Sequence, residues 1–208
     1  MNDQVTRARR VEGTVVLVSG GVDSTVLLYK ARAASRLHGT LIFPLFIDYA
    51  QRASRREQHA ADWHCRQLGL SLHTLDLAQL GESFRNGQVM KRHVPLPHRN
   101  LVALSLALSY LELVRCTSLA IGVIQDDLDG YPSASLAFLE SFRNLTQTLS
   151  PARIEAPLVG WSKVRVVTEG RRLGVDFGRT YSCMVGREQH CGRCTQCQRR
   201  LPALAQLA

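Results

Sequence analysis

Ser19-Gly20-Gly21-Val22-Asp23-Ser24 is the first run in the chain with residue types suited to chemistry. Glycines let a backbone approach a phosphate closely, and a helix that starts there aims unpaired N–H groups and positive partial charge at the same anion. Hydroxyls at Ser19, Ser24 and Thr25 add donors, and Asp23 is suited to orient a metal or a loop amide. A tight strand–helix turn capped by Asp or Ser would use similar residues. The run, however, occupies the strand–turn–helix context that a nucleotide site requires. It lacks the Gly-Lys-Ser/Thr ending of a Walker loop. The expected phosphate-binding residues are Val18, Ser19, Gly20, Gly21, Val22, Asp23, Ser24 and Thr25.

A second group closes the chain. Cys183, Cys191, Cys194 and Cys197 form C-x₇-C-x₂-C-x₂-C, with Gly192 permitting a tight turn between two of them. Four thiolates at such spacings can converge on one tetrahedral Zn²⁺ at about 2.3 Å each. Structural zinc is the reading adopted; an iron–sulfur cluster, which also uses C-x₂-C-x₂-C, and redox thiols are the competing ones. His190 is a substitute ligand only if a thiolate is missing. Cys65 and Cys116 fall on predicted helices and read as small buried residues.

These groups need elements to hold them. Residues 14–18 read as a buried strand, 24–35 as a helix, 41–47 as a second strand interrupted by Pro44, and 52–68 as an Arg-rich helix closed by Gly69. Residues 70–77 alternate like a half-buried strand, and 79–97, with Gly81, Gly87, Pro95 and Pro97, read as a long surface loop. Residues 100–116 are apolar almost all round, which predicts a deeply buried helix. A strand over 118–124, a Gly-Tyr-Pro turn, a helix over 135–149, a short strand at 154–156 and a helix over 163–173 complete the series. Strands alternating with helices predict an α/β fold, a doubly wound parallel sheet with helices on both faces. Residues 1–177 are expected to form this nucleotide-binding domain and 178–208 a small zinc-binding C-terminal extension.

Composition agrees. Lys+Arg 26 against Asp+Glu 17 gives a formal charge of +9, and 23 of the cations are arginine, which suits phosphates and other anions. With 45% hydrophobic residues a buried core is expected and disorder is not. No apolar stretch approaches about 18 residues, and no apolar region follows the basic N-terminus as in a secretory signal. The expectation is a soluble cytoplasmic protein with no membrane partner and no specific nucleic acid.

The loop resembles the pyrophosphatase loop of N-type ATP-pyrophosphatases, which cleave ATP between the α and β phosphates and transfer AMP to a substrate oxygen. Their fold is of the adenine nucleotide alpha-hydrolase type. Together with the cysteine cluster, the resemblance narrows to the 7-cyano-7-deazaguanine synthase family. Asp48-Tyr49-Ala50-Gln51-Arg52 is similar to that family's Asp-Tyr-Gly-Gln-Arg. Pro97-His98-Arg99-Asn100 is similar to its Pro-x-Arg-Asn, and Gly122-Val123 with Asp129-Gly130-Tyr131-Pro132 to its Gly-Val and Ser-Gly-Tyr-Pro stretch. Ser182-Cys183 and Cys191-Gly192-x-Cys194-x₂-Cys197 resemble its zinc-binding end.

The resemblance implies an ATP-dependent ligase reaction on 7-carboxy-7-deazaguanine. The carboxylate attacks the α-phosphorus, ammonia displaces AMP to give an amide, and a second adenylation allows dehydration to the nitrile. It implies ATP, Mg²⁺ and Zn²⁺ as cofactors and a small-molecule carboxylate and ammonia as partners, with a homodimer as a candidate assembly. Asp23 and Ser24, with Arg99 and Lys163 as the positive groups, are the catalytic residues it points to; Asn100 is also a candidate cap for the helix it opens. One segment departs from the pattern: Ser133-Ala134-Ser135-Leu136-Ala137-Phe138 stands where the family has Asp-Cys-Arg-x-Glu-Phe. Two acids and one base are absent together from a stretch expected to face substrate. A diverged ligase that couples a deazapurine carboxylate to a protein or other amine in anti-phage defence is therefore the alternative. A tRNA-binding thiolation enzyme and an inactive nucleotide-binding module are the remaining readings.

Overall fold

The β-branched run at the start of the chain forms β1 (Gly13–Leu17), with Val15 and Val16 wholly buried on its opposite faces. A computed structural model describes residues 10–86 and 96–206. After β1 come α1 (Val22–His38), β2 (Leu41–Asp48), α2 (Ser54–Gln67), β3 (His73–Asp76), α3 (Ala78–Asn86), α4 (Arg99–Val114) and β4 (Ser118–Ala120). The chain continues through α5 (Leu136–Leu149), β5 (Arg153–Glu155), α6 (Lys163–Arg172) and α7 (Thr195–Ala205). The strands make one sheet in the order β3-β2-β1-β4-β5, and every pair is parallel.

Two apolar layers sandwich this sheet. Val16 and Phe46 face one layer with Val26, Leu27 and Leu28 of α1, Ala61 and Cys65 of α2, Val166 and Val167 of α6, and Ala203 of α7. Val15 and Leu45 face the other, with Leu104, Ala107 and Leu111 of α4 and Leu139 and Phe142 of α5. The expected helices on both faces are present. Pro44 is accommodated because it pairs with Val16 of β1, whereas pairing with β3 starts only at Leu45; a missing N–H on that level leaves no β3 partner unsatisfied. The strand order reverses between β1 and β4, and in open α/β sheets ligands bind beyond the strand C-termini at such a switch.

Three expectations need correction. The stretch read as a surface loop from residue 79 begins as helix α3. Asp76 Oδ1 accepts a hydrogen bond from Ala78 N at 2.9 Å to start it. Gly81, taken as a loop signal, is a packing glycine: a Cβ there would overlap the Tyr49 carbonyl. Residues 87–95 of that stretch, including Gly87 and Pro95, lie outside the described residues. The α4 helix is buried along one face only, at Leu104, Ala107 and Leu111, while Leu113 is 76% exposed. It forms the outer layer over the sheet, so its apolar composition overstates its burial. The strand expected over 118–124 ends as β4 at Ala120; Ile121 N still donates to Glu155 O at 2.9 Å, and Ile121, Gly122 and Val123 then line the site described below. Among the described residues, no helix is long and apolar enough to cross a membrane.

Candidate active site

Because β1 ends at Leu17 and α1 begins at Val22, the chain must turn at once. Gly20 makes the turn in the left-handed region at φ 71°, packed so closely on α2 that a Cβ would overlap the Glu57 carbonyl oxygen. Ser24 Oγ accepts from Ser19 N at 3.0 Å, lies 3.0 Å from Ser19 Oγ and donates to Gly21 O at 3.3 Å, closing the loop on itself. No side chain caps the α1 N-terminus at Gly21, which leaves first-turn N–H groups for an anion. On the β4 side, Gly122 presses against the loop: a Cβ there would stand 3.2 Å from Ser24 N and Cα.

The loop forms one wall of a cavity of roughly 230 Å³ at the switch point between β1 and β4. Lys163, at the start of α6, donates from Nζ to both Asp23 carboxylate oxygens at 2.8 and 2.6 Å. Ser162 caps that helix, its Oγ accepting from Arg165 N. Arg99, the first residue of α4, lies over the Tyr131 ring with its guanidinium carbon 5.5 Å from the centroid. Burial opposes the Arg99 charge, but Tyr49, Tyr131 and Glu57 around it hold its pKa above the ordinary arginine value. Asn100 Nδ2 donates to Ser133 O at 3.0 Å, tying α4 to the segment that departs from the family pattern.

Among the described residues, the carboxylates lining the cavity are Asp23, Glu57 and Asp127. Asp127 accepts from Arg199 at 3.3 Å and from Ile124 N at 3.3 Å; burial, then the Asp23 charge, pushes its pKa up. Glu57 accepts from the neutral Gln51 amide at 3.0 Å, while Gln51 Oε1 accepts from Tyr49 N at 2.9 Å. Burial pushes Glu57 up to about 7, against the opposing pull of Gln51 and Arg99. Ala50 stands where the resembling family has Gly, yet keeps the left-handed backbone that Gly favours, at φ 58°.

The cysteine cluster sits beside this cavity. The four Sγ atoms of Cys183, Cys191, Cys194 and Cys197 lie within 4.8 Å of one another, and none forms a disulfide. Thiolates about 2.3 Å from a tetrahedral ion stand about 3.8 Å apart; the Cys191–Cys197 separation is 4.0 Å. Cys194 N points at Cys191 Sγ at 3.3 Å, and the N–H groups of Arg193 and Cys194 lower that thiol to about 6. Burial, followed by the neighbouring Cys194, raises the Cys197 thiol to about 12. This set fits one metal ion. The extension then reaches the loop: Tyr181 N donates to Gly20 O at 2.8 Å, and Ser182, Met184 and Gln196 line the cavity.

The structure therefore brings Val18, Ser19, Gly21, Val22, Asp23, Ser24, Arg99 and Lys163 to one place: all but Lys163 line the cavity, and Lys163 reaches it through Asp23. Gly20 faces α2, and Thr25 is wholly buried with no hydrogen-bond partner for its hydroxyl among the described residues. Glu57, Asp127 and Arg199 are additional members that the motifs do not single out. Glu57 lies six residues beyond Gln51 in the first turn of α2, and Asp127 in an acidic pair after β4. Arg199 is indistinct among so many arginines.

Comparison with known proteins follows the same lines. A family model described as Queuosine biosynthesis protein QueC matches residues 13–208. A Pseudomonas fluorescens protein named 7-cyano-7-deazaguanine synthase is 34% identical over 226 residues, spanning 99% of this chain and 95% of its own. A Nitrosococcus oceani protein of the same name is 37% identical over 207 residues, spanning 89% and 90%. Among solved structures, an NAD synthetase from Campylobacter jejuni superposes with TM-score 0.57 at 18% identity, over 83% of this chain and 68% of that one. The U34-tRNA thiolase NcsA from Methanococcus maripaludis gives 0.58 at 16%, over 84% and 61%. At such identities the two structures speak to the fold alone.

Proposed function

This chain belongs to the QueC family of queuosine biosynthesis proteins, and from that premise we propose that it is an ATP-dependent ligase forming 7-cyano-7-deazaguanine from the 7-carboxy acid and ammonia. The observation that carries the reading is the convergence of the uncapped α1 N-terminus, the Asp23–Lys163 pair and Arg99 on one cavity. A carboxylate is a poor acyl donor because oxide is a poor leaving group, and adenylation supplies a better one. The loop N–H groups and the α1 N-terminus bind the phosphates of ATP. Ser19 and Ser24 hold the loop in shape through their shared hydrogen bonds. Lys163 fixes the Asp23 carboxylate, and Arg99, braced by Tyr131, faces the negative charge that builds as the substrate oxygen meets the α-phosphorus.

Asp23 and Asp127, neighbours in the cavity, are the residues that fit Mg²⁺, which neutralises phosphate charge when bound. The four cysteines fit Zn²⁺ better than an iron–sulfur cluster, because several irons between the thiolates require wider spacing than 4.8 Å. Residues 1–177 then act as the nucleotide-binding domain, and the zinc-held segment from 178 supplies a further wall. Incubation with ATP, Mg²⁺, 7-carboxy-7-deazaguanine and ammonium tests this. AMP release with a product mass corresponding to the nitrile is the expected result. No ATP turnover with this acid overturns the reading, and AMP release with mass gained on an added protein amine favours a conjugating ligase instead. That second outcome matters because Ser133 is buried and offers the cavity no carboxylate where the family pattern has Asp.

A further inference from the structure

Ammonium carries no lone pair, so a ligase that uses it must attract the cation, take one proton and release ammonia beside the acyl carbon. Among the described residues three carboxylates line the cavity, and two already serve other cations: Asp23 pairs with Lys163 and Asp127 with Arg199, and both are the residues assigned to Mg²⁺. Glu57 differs. Its carboxylate accepts a hydrogen bond from the neutral Gln51 amide, and it forms no ion pair among the described residues. The groups that face it are Asp48 at the end of β2, Tyr49 and Gln51 just after it, and Arg99 from α4, itself lying over the Tyr131 ring. With both acids ionised this neighbourhood is net negative, which suits a small cation. The Gly20 turn lies directly on the Glu57 backbone, so the carboxylate is anchored to the element that holds the phosphates.

From this arrangement we propose that Glu57 binds ammonium and accepts its proton, an assignment that rests on the adenylation reading above. Ammonium passes one proton to the Glu57 carboxylate, giving ammonia and a neutral acid. The ammonia lone pair forms the C–N bond. The C–O bond to the adenylate phosphate breaks, its electron pair leaves on AMP, and the surplus proton on nitrogen goes with the departing phosphate. Glu57 returns its proton to water before the next turnover. Burial supports the role, because a carboxyl held near about 7 is charged enough to take a proton and weak enough an acid to keep it.

Glu57→Gln keeps the shape and the Gln51 contact while removing the proton acceptor. The test compares ammonium with hydroxylamine, a nucleophile already neutral at the assay pH. Glu57→Gln is expected to raise the hydroxylamine-to-ammonium rate ratio by about 100-fold or more. With no proton acceptor its kcat/KM for total ammonium is expected to follow the free-ammonia fraction and keep rising with pH, whereas the parent's is expected to level off above about 7. Glu57→Asp, which retains a carboxylate, is expected to stay near the parent ratio. An unchanged ratio in Glu57→Gln overturns the proposal. So does a loss confined to the KM of the carboxylate substrate, which makes Glu57 a reader of the deazaguanine edge. Carboxylate-dependent ATP–pyrophosphate exchange by the parent protein is measured alongside; its absence removes the adenylation reading itself, whatever the ratio shows.

Discussion

Lys163 places its ammonium 2.8 and 2.6 Å from the two oxygens of Asp23, bonding the first turn of α6 to the first turn of α1 across the switch point of the sheet. The lysine side chain is only 8% exposed, so this is not a solvated surface pair of negligible worth. Replacing it by Met removes the cation and leaves Asp23 unopposed among phosphates. Lys163→Met is expected to lower carboxylate-dependent ATP–pyrophosphate exchange by about 10²–10³-fold, the usual effect of deleting one preorganised charge partner. Circular dichroism of the variant separates that loss from misfolding.

Gly20 and Gly69 both occupy the left-handed region, at φ 71° and 66°, but their surroundings differ. A Cβ at Gly69 meets nothing within 4 Å, whereas one at Gly20 overlaps the Glu57 carbonyl. Gly69→Ala is therefore expected to cost only the backbone term, about 1–2 kcal/mol in urea unfolding. Gly20→Ala must add displacement of α2, so its loss exceeds that of Gly69→Ala and ATP-dependent activity falls with it. Equal losses would mean that the loop and α2 are not in contact.

Metal removal is predicted to act on the cavity as well as on the extension. Ser182, Met184 and Gln196 line the cavity from within the cysteine segment, and Tyr181 N holds Gly20 O at 2.8 Å. Arg199, on α7, adds its contact to Asp127. Zinc analysis is expected to find one ion per chain. Chelation or Cys197→Ser should expose residues 183–206 to protease and weaken ATP binding, because structural zinc supplies folding free energy directly. Retained ATP affinity in the metal-free protein would contradict this coupling.

Much of this architecture is legible in the residues themselves. Val15 and Val16 mark a buried strand, Ser19 to Ser24 a tight strand–helix turn, and the four clustered cysteines a candidate metal site, because each signal is local and its chemistry restrictive. What escapes is set by contacts between distant segments. Gly81 reads as a chain breaker until the Tyr49 carbonyl is seen against it. The apolar composition of α4 suggests full burial, but a helix on the outside of one sheet buries one stripe, and Leu113 remains exposed. Glu57 resembles any first-turn helix acid until β2 and α4 close around it.

That closure makes Glu57 measurable in stability as well as in rate. Its folded pKa is raised from 4.5 to about 7, with burial as the leading cause. Between those values the unfolded chain has released the proton while the folded protein still holds it. The folded state then binds more protons, so this group lowers stability as pH rises through the window. The full penalty is roughly 3 kcal/mol and is reached above the folded pKa. Glu57→Gln has no such titration. Urea unfolding is therefore expected to show the variant gaining on the parent between pH 4.5 and about 7, with the difference level above that. Protonation of the cysteine thiolates at the acid end affects both proteins alike and cancels in the comparison. A difference that stays flat from pH 4.5 upward would mean that water reaches the carboxylate freely.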